Sequence, residues 1–288
     1  MIFLSKLKKF FYQKEIEFIN SFDSYKKALD EIKEEKIISI DTEFDWRDTY
    51  FPNLSLIQIG ISSKVYIIDF LNLENINELK EILINPISIK IFHSLRGDIS
   101  VMSLSNQIRV ENVVDTQIAE DFLTESKNTQ IAYKDLVKKY LNVNIDKTET
   151  NSNWLKRPLS KNQIIYAADD VLFLDKILLK QKKLLKRKNL YDAFIEKCKK
   201  EKTLAETDFT TLRLRRFLKK NKNISNIEKK IFIWREEKAK LQNVPPNKIF
   251  KEKNFKLLKK ILLEKKFNEC QWIIPDSEDR KSFLTEFK

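Results

Sequence analysis

Short apolar runs fill the first third of this 288-residue chain, and helical apolar spacing takes over after it. That order restricts the fold more than any other feature. Residues 15–19, 36–41, 54–61, 65–69 and 88–93 are rich in Ile, Leu and Val and read as strands. Pro52-Asn53 and Ser62-Ser63 supply the turns between them. Residues 23–34 and 74–84 carry helical spacing, and further helices follow Gly97, follow Asp115 and span 131–141. Strands interleaved with helices predict an α/β sheet. Ser160 with Gln163 forms a capping box, and the stretch 164–190 has neither Gly nor Pro, which predicts one long helix. Basic helical segments broken at 221–226 and at Pro245-Pro246 predict a small all-helical domain. The expected division is an extension over 1–14, an α/β domain over 15–190, a charged helical connector over 191–207 and a helical domain over 208–288.

Composition narrows the chemistry. His93 is the sole histidine, and Cys198 and Cys270 are the only cysteines. Histidine-based triads, thiolate or histidine zinc sites and a disulfide framework are therefore poor fits. Hydrolysis would rest on carboxylates, which favour hard cations such as Mg²⁺ or Mn²⁺. The net charge is +13, and residues 208–288 carry 22 Lys and Arg against 11 Asp and Glu. A basic module beside a near-neutral body suits a polyanion grip, or else a solvated Lys-rich surface. No run is long and apolar enough to span a membrane, and Lys6, Lys8 and Lys9 interrupt the N-terminal apolar segment, so a cytoplasmic protein is expected.

Asp41 and Glu43 follow the strand 36–41 two residues apart, which aims both to one side. Two carboxylates at a buried strand end are costly unless a cation joins them, although a solvated loop explains a bare Asp-x-Glu as well. Asp98 opens a helix, where Asp is a common cap. Tyr166 and Asp170 lie one helical turn apart and share a face, with Asp169 one position off it.

Together these residues stand in the order found in the tyrosine-bearing branch of the DEDD exonuclease superfamily. The chain resembles ribonuclease D over roughly residues 15–190. The likeness lies in Asp41-Thr42-Glu43-Phe44 and in Thr49-Tyr50-Phe51-Pro52 continuing to Leu56-Ile57-Gln58. It lies also in Asp115-Thr116-Gln117, Asp146-Lys147, Trp154-x-x-Arg157-Pro158-Leu159 and Tyr166-Ala167-Ala168-x-Asp170-Val171. Trp234-Arg235-Glu236, Ala239 and Val244-Pro245-Pro246 are similar to the HRDC module, a helical nucleic-acid-binding domain. Asn153 before Trp154 and Gly97 before Asp98 depart from the family's usual acidic residues.

The resemblance implies a ribonuclease H-like mixed sheet followed by one HRDC-like domain. It implies a 3′→5′ exoribonuclease releasing 5′-mononucleotides, with tRNA precursors and other 3′-extended structured RNAs as substrates. Two divalent ions would be held by Asp41, Glu43, Asp98 and Asp170, with Tyr166 orienting the attacking water. Candidate substrate contacts are Phe44, Lys147, Arg157, Arg213, Arg215 and Arg216. Phe44 reads equally as a wedge on the terminal base or as a core aromatic. Trp154 and Arg157-Pro158-Leu159 are expected to set up the long helix, and His93 to be a hydrogen-bonded structural residue. No stable protein partner is expected. The alternatives are a DNA 3′→5′ exonuclease of proofreading type and an inactive RNA-binding protein. Because the carboxylates all precede residue 208, removal of 208–288 is expected to spare hydrolysis of a very short oligonucleotide.

Overall fold

The computed structural model describes residues 14–73, 76–124, 130–145, 149–221 and 223–287. The predicted roles of residues 1–13 and of Lys147 lie outside these. The chain divides into two compact units: 1–45 with 54–206, and 46–53 with 207–288.

The first unit contains a six-stranded mixed sheet. Its strands are β1 (Glu15–Ile19), β2 (Ile37–Asp45), β3 (Asn53–Gly60), β4 (Lys64–Asp69), β5 (Ile89–Phe92) and β6 (Val113–Asp115), in the spatial order β1-β4-β3-β2-β5-β6. β1 runs parallel to β4, β3 antiparallel to β4, and β5 parallel to both β2 and β6. The strands read as nearly continuous apolar runs because both faces are covered. Ile57, Ile59, Tyr66, Ile68 and Phe92 enter one core, with Tyr25 and Leu29 of α1 (Phe22–Ile32) and Leu79 and Leu83 of α2 (Asn77–Ile84). Their strand neighbours Leu56, Val65, Ile67 and Ile91 enter the other. That second core takes its helical residues from α5 (Tyr133–Leu141), α6 (Lys161–Leu172), α7 (Leu174–Arg187) and α8 (Tyr191–Ala205). The alternation follows from the strand's two-residue side-chain period.

Three expectations are corrected. β2 does not end at Asp41; it runs through Asp45, so both carboxylates are strand residues. The stretch 164–190 is not one helix. It is interrupted at Phe173, whose buried N–H donates to the Tyr133 hydroxyl at 3.1 Å. A tertiary acceptor thus meets the chain at a break that no Gly or Pro announces. Third, α8 is helical as expected but belongs to the first unit rather than linking two. Ser100 donates to the Ala205 carbonyl at 2.8 Å, Arg96 pairs with Glu201, and Cys198 is fully buried.

The second unit is helical: α9 (Phe209–Lys220), α10 (Asn226–Leu241), α11 (Pro246–Ile249), α12 (Phe255–Leu263) and α13 (Ser277–Phe287). Phe217, Phe232 and Phe255 form its aromatic centre, with the Phe217 and Phe232 rings stacked at 4.5 Å. Residues 46–53 join it from far away in sequence. The Tyr50 hydroxyl is 2.9 Å from that of Thr210, and Asn243 Oδ1 accepts the N–H groups of Tyr50 and Phe51 at 3.2 and 3.1 Å.

Candidate active site

The central position of β2 decides where the site forms. Ile38, Ser39 and Ile40 are buried between β3 and β5; the strand then emerges, leaving Asp41 and Glu43 half-buried on one side. α6 supplies the other half. Its start is fixed by the expected capping box: Gln163 N–H donates to Ser160 Oγ at 3.1 Å, and Ser160 N–H to Gln163 Oε1 at 2.9 Å. Gly60 at the end of β3 lets α6 settle close to the sheet. A methyl group there would lie 3.1 Å from the Val171 carbonyl oxygen and 3.3 Å from Ser39 Cβ. Sequence reasoning misses this glycine, though its rarity, one of only two in the chain, is a signal.

The result is a cluster in which ligand oxygens of Asp41, Glu43 and Asp170 all lie within 4.8 Å of one another. Three carboxylates this close repel strongly unless a cation joins them, and an all-oxygen donor set fits a hard divalent ion. A cavity of about 380 Å³ opens beside the cluster, lined by Asp41, Asp170, Tyr166, His93, Lys134 and Thr150, among others. Tyr166 is 9% exposed, with its hydroxyl 3.3 Å from that of Thr150 and its ring 5.9 Å from Trp154.

Asp98 is placed differently from the other carboxylates. It lies in the first turn of α3 (Arg96–Ser100) but is not the cap; that position is Leu95. One carboxylate oxygen accepts from the Thr42 N–H at 3.1 Å and the Thr42 hydroxyl at 2.5 Å. Asp98 is therefore tied to the residue between Asp41 and Glu43 while lying outside the three-carboxylate cluster. Burial pushes its carboxyl up to about 7; the Thr42 hydrogen bonds oppose that rise, and Asp115 adds to it. Asp115 anchors the turn before α3. It accepts from Leu95 N–H at 2.7 Å and, just before α4 (Thr116–Thr124), from Gln117 and Ile118 N–H at 2.7 and 3.2 Å.

Among the remaining candidates, Phe44 is half-buried, packs on the first core and lies against Gly97, where an added Cβ would be 3.7 Å from the ring. Arg157, expected as a candidate substrate contact, is engaged within the protein. Its guanidinium donates to Asp69 at 2.8 and 2.6 Å, to the Trp154 carbonyl at 2.6 Å and to Ser55 Oγ at 3.1 Å. With both edges of the fork engaged, little remains for a phosphate. It instead ties the segment before α6 to β3 and β4. His93 sits between the Thr116 hydroxyl at 3.0 Å and the Ile131 carbonyl at 3.1 Å while lining the cavity. Arg213, Arg215 and Arg216 lie on α9 in the second unit.

The sequence model of the 3′–5′ exonuclease family matches residues 16–186. A ribonuclease D of Desulfotalea psychrophila is 30% identical over 244 residues, 81% of this chain and 64% of that one. A ribonuclease D of Pseudomonas paraeruginosa is 28% identical over 88% of this chain and 67% of its own. The chain thus spans about two thirds of these relatives' length. The Escherichia coli RNase D structure, described as an exoribonuclease involved in structured RNA processing, is similar in fold. Its TM-score is 0.75 at 24% identity, covering 84% of this chain and 65% of that one. The catalytic core of RRP6 from Trypanosoma brucei shares the fold at a TM-score of 0.66 and 19% identity, over 84% of this chain and 69% of that one.

Proposed function

The chain belongs to the 3′–5′ exonuclease family, and from that premise we propose that it is a metal-dependent 3′→5′ exoribonuclease of ribonuclease D type. It removes 5′-mononucleotides from RNA 3′ ends, with precursor tRNAs and other 3′-extended structured RNAs as substrates. The observation that carries this reading is the convergence of Asp41, Glu43 and Asp170 beside a cavity that Tyr166 also lines. Two divalent cations, Mg²⁺ or Mn²⁺, would supply water activation and stabilisation of the leaving 3′ oxygen. Asp41, Glu43 and Asp170 would hold one, and Asp98, bonded to Thr42 beside them, would help to hold the other. Thr42 steadies Asp98 through the two hydrogen bonds it donates.

Tyr166 positions the attacking water. A phenol with a reference pKa near 10 is a poor base at neutral pH, whereas a nearly buried hydroxyl on a capped helix is a well-fixed hydrogen-bonding group. The helical second unit, HRDC-like in its Trp234-Arg235-Glu236 motif, grips the phosphates of the RNA. Among the described residues no helix is long and apolar enough to cross a membrane, and the cytoplasm is the proposed site of action.

The test is timed digestion of a 3′-extended tRNA precursor and a matched single-stranded DNA, with Mg²⁺, Mn²⁺ or EDTA. Stepwise release of 5′-mononucleotides from the RNA, abolished by EDTA, is expected. Preferential digestion of DNA would move the chain to the proofreading class, and no nucleotide release with either metal would leave a binding protein.

A further inference from the structure

The second unit holds a cavity of about 340 Å³ that the proposed chemistry does not use. Arg213, Arg216 and Lys220 of α9 all line it; their spacing of three and four residues puts them on one helical face. α10 contributes Arg235, which is 6% exposed. Its guanidinium lies 5.4, 5.4 and 4.7 Å from the ring centroids of Phe232, Phe250 and Phe255, and its buried Nε has no hydrogen-bond partner. Arginine cannot shed its proton in a protein, so this is a fixed buried positive charge.

The acids at the cavity are too few to balance it. Glu236, 1% exposed, is shared between Arg213 at 3.2 Å and Arg235 at 3.3 Å. Glu252 is exposed on the rim. Arg216 and Lys220 are exposed and form no ion pair among the described residues. Four cations therefore face two carboxylates. A buried charge without full compensation is costly, and a phosphate group is the ligand that removes the imbalance: it carries the opposite charge and its oxygens match guanidinium donors.

We propose that this cavity is a phosphate site that grips a phosphodiester of an RNA strand through Arg216, Lys220 and Arg235. The inference rests on the reading of the chain as an RNA enzyme and locates the second unit's grip in one cavity. Arg213 then serves mainly to hold Glu236 and Tyr50, over whose ring it lies at 4.3 Å. Arg215, also on α9, is not part of the cavity lining and contributes little.

The experiment measures binding of a fluorescently labelled single-stranded RNA to the full-length protein in EDTA at several salt concentrations. Arg216→Gln with Lys220→Gln alters only exposed side chains. It is expected to flatten the log–log salt slope by about 0.7 for each phosphate that is no longer neutralised. That change corresponds to roughly fourfold weaker binding per phosphate at physiological salt. Arg235→Lys keeps the charge but removes the fork from a buried site packed on three rings, so it should weaken RNA binding and also lower the melting temperature. Unchanged affinity and slope in the double variant, with RNA hydrolysis intact in both proteins, overturns the site alone. No RNA binding by the wild type overturns the site and the functional reading together. Inorganic phosphate distinguishes the sources. If it raises the melting temperature of the wild type but not of the double variant, while RNA affinity is the same in both, the strand is overturned as the ligand.

Discussion

Asp41, Glu43 and Asp170 gather three carboxylates within 4.8 Å, and a bound divalent ion would relieve their mutual repulsion. Mg²⁺ or Mn²⁺ should therefore raise the melting temperature, by about 2.7 kcal/mol of added stability at a hundredfold excess over Kd. Asp170→Asn should stabilise the metal-free protein and largely remove that shift; an unaltered shift, read by thermal melting, places the ion elsewhere. In the reaction itself, Asp41→Ala and Asp170→Ala should each lower hydrolysis by about 100-fold or more with the fold retained, judged by the circular dichroism spectrum. Tyr166→Phe separates positioning from binding. Loss of its hydroxyl should reduce kcat by about 100-fold while RNA affinity stays near wild type. Single-turnover rates with unchanged chemistry would remove Tyr166 from the mechanism.

At the scale of elements, the segment before α6 depends on Arg157. Its partner Asp69 is fully buried, while the Arg157 side chain is 22% exposed. Breaking a buried pair from one side leaves an uncompensated charge, so Arg157→Gln should cost about 3 kcal/mol in denaturant unfolding. KM for RNA should hold in the folded fraction; a selective rise in KM at full stability would restore Arg157 as a substrate contact. The elements differ in how far sequence reveals them. β1 falls on Glu15–Ile19 as expected, because charged and apolar residues alternate there at the strand's two-residue period. The capping box at Ser160 is local chemistry and is equally legible. The break at Phe173 is not: no Gly or Pro marks it, and the hydroxyl that accepts its N–H lies forty residues earlier in the chain.

At the scale of the molecule, residues 46–53 change what truncation should do. They follow directly on β2, which carries Asp41 and Glu43, yet they belong to the second unit. Tyr50 there is fully buried and bonded near Thr210 and Asn243. Deleting 208–288 removes those partners from the segment next to the strand that carries Asp41 and Glu43. The sequence-based expectation that a short oligonucleotide would still be cleaved normally is therefore revised. An ångström-scale misplacement can cost about 100-fold in rate, and a fall up to that size is expected along with a flatter salt slope for RNA binding. Unimpaired cleavage of the short substrate by the truncated protein would show that β2 holds its geometry without the second unit.

The sequence by itself determined the types of element, the covered α/β sheet and the identity of the clustered carboxylates. Those features depend on side-chain period, local capping and residue chemistry, all written in neighbouring positions. Tertiary structure alone decided that Asp98 bonds to Thr42, that Arg157 is spent on Asp69, and that Arg235 lines a cavity with an unmatched charge. The first two join residues distant in the chain, and Arg235 shares its neighbour Glu236 with Arg213 from another helix. The physical reason is that burial and electrostatic pairing depend on distance in space, which local sequence pattern does not encode.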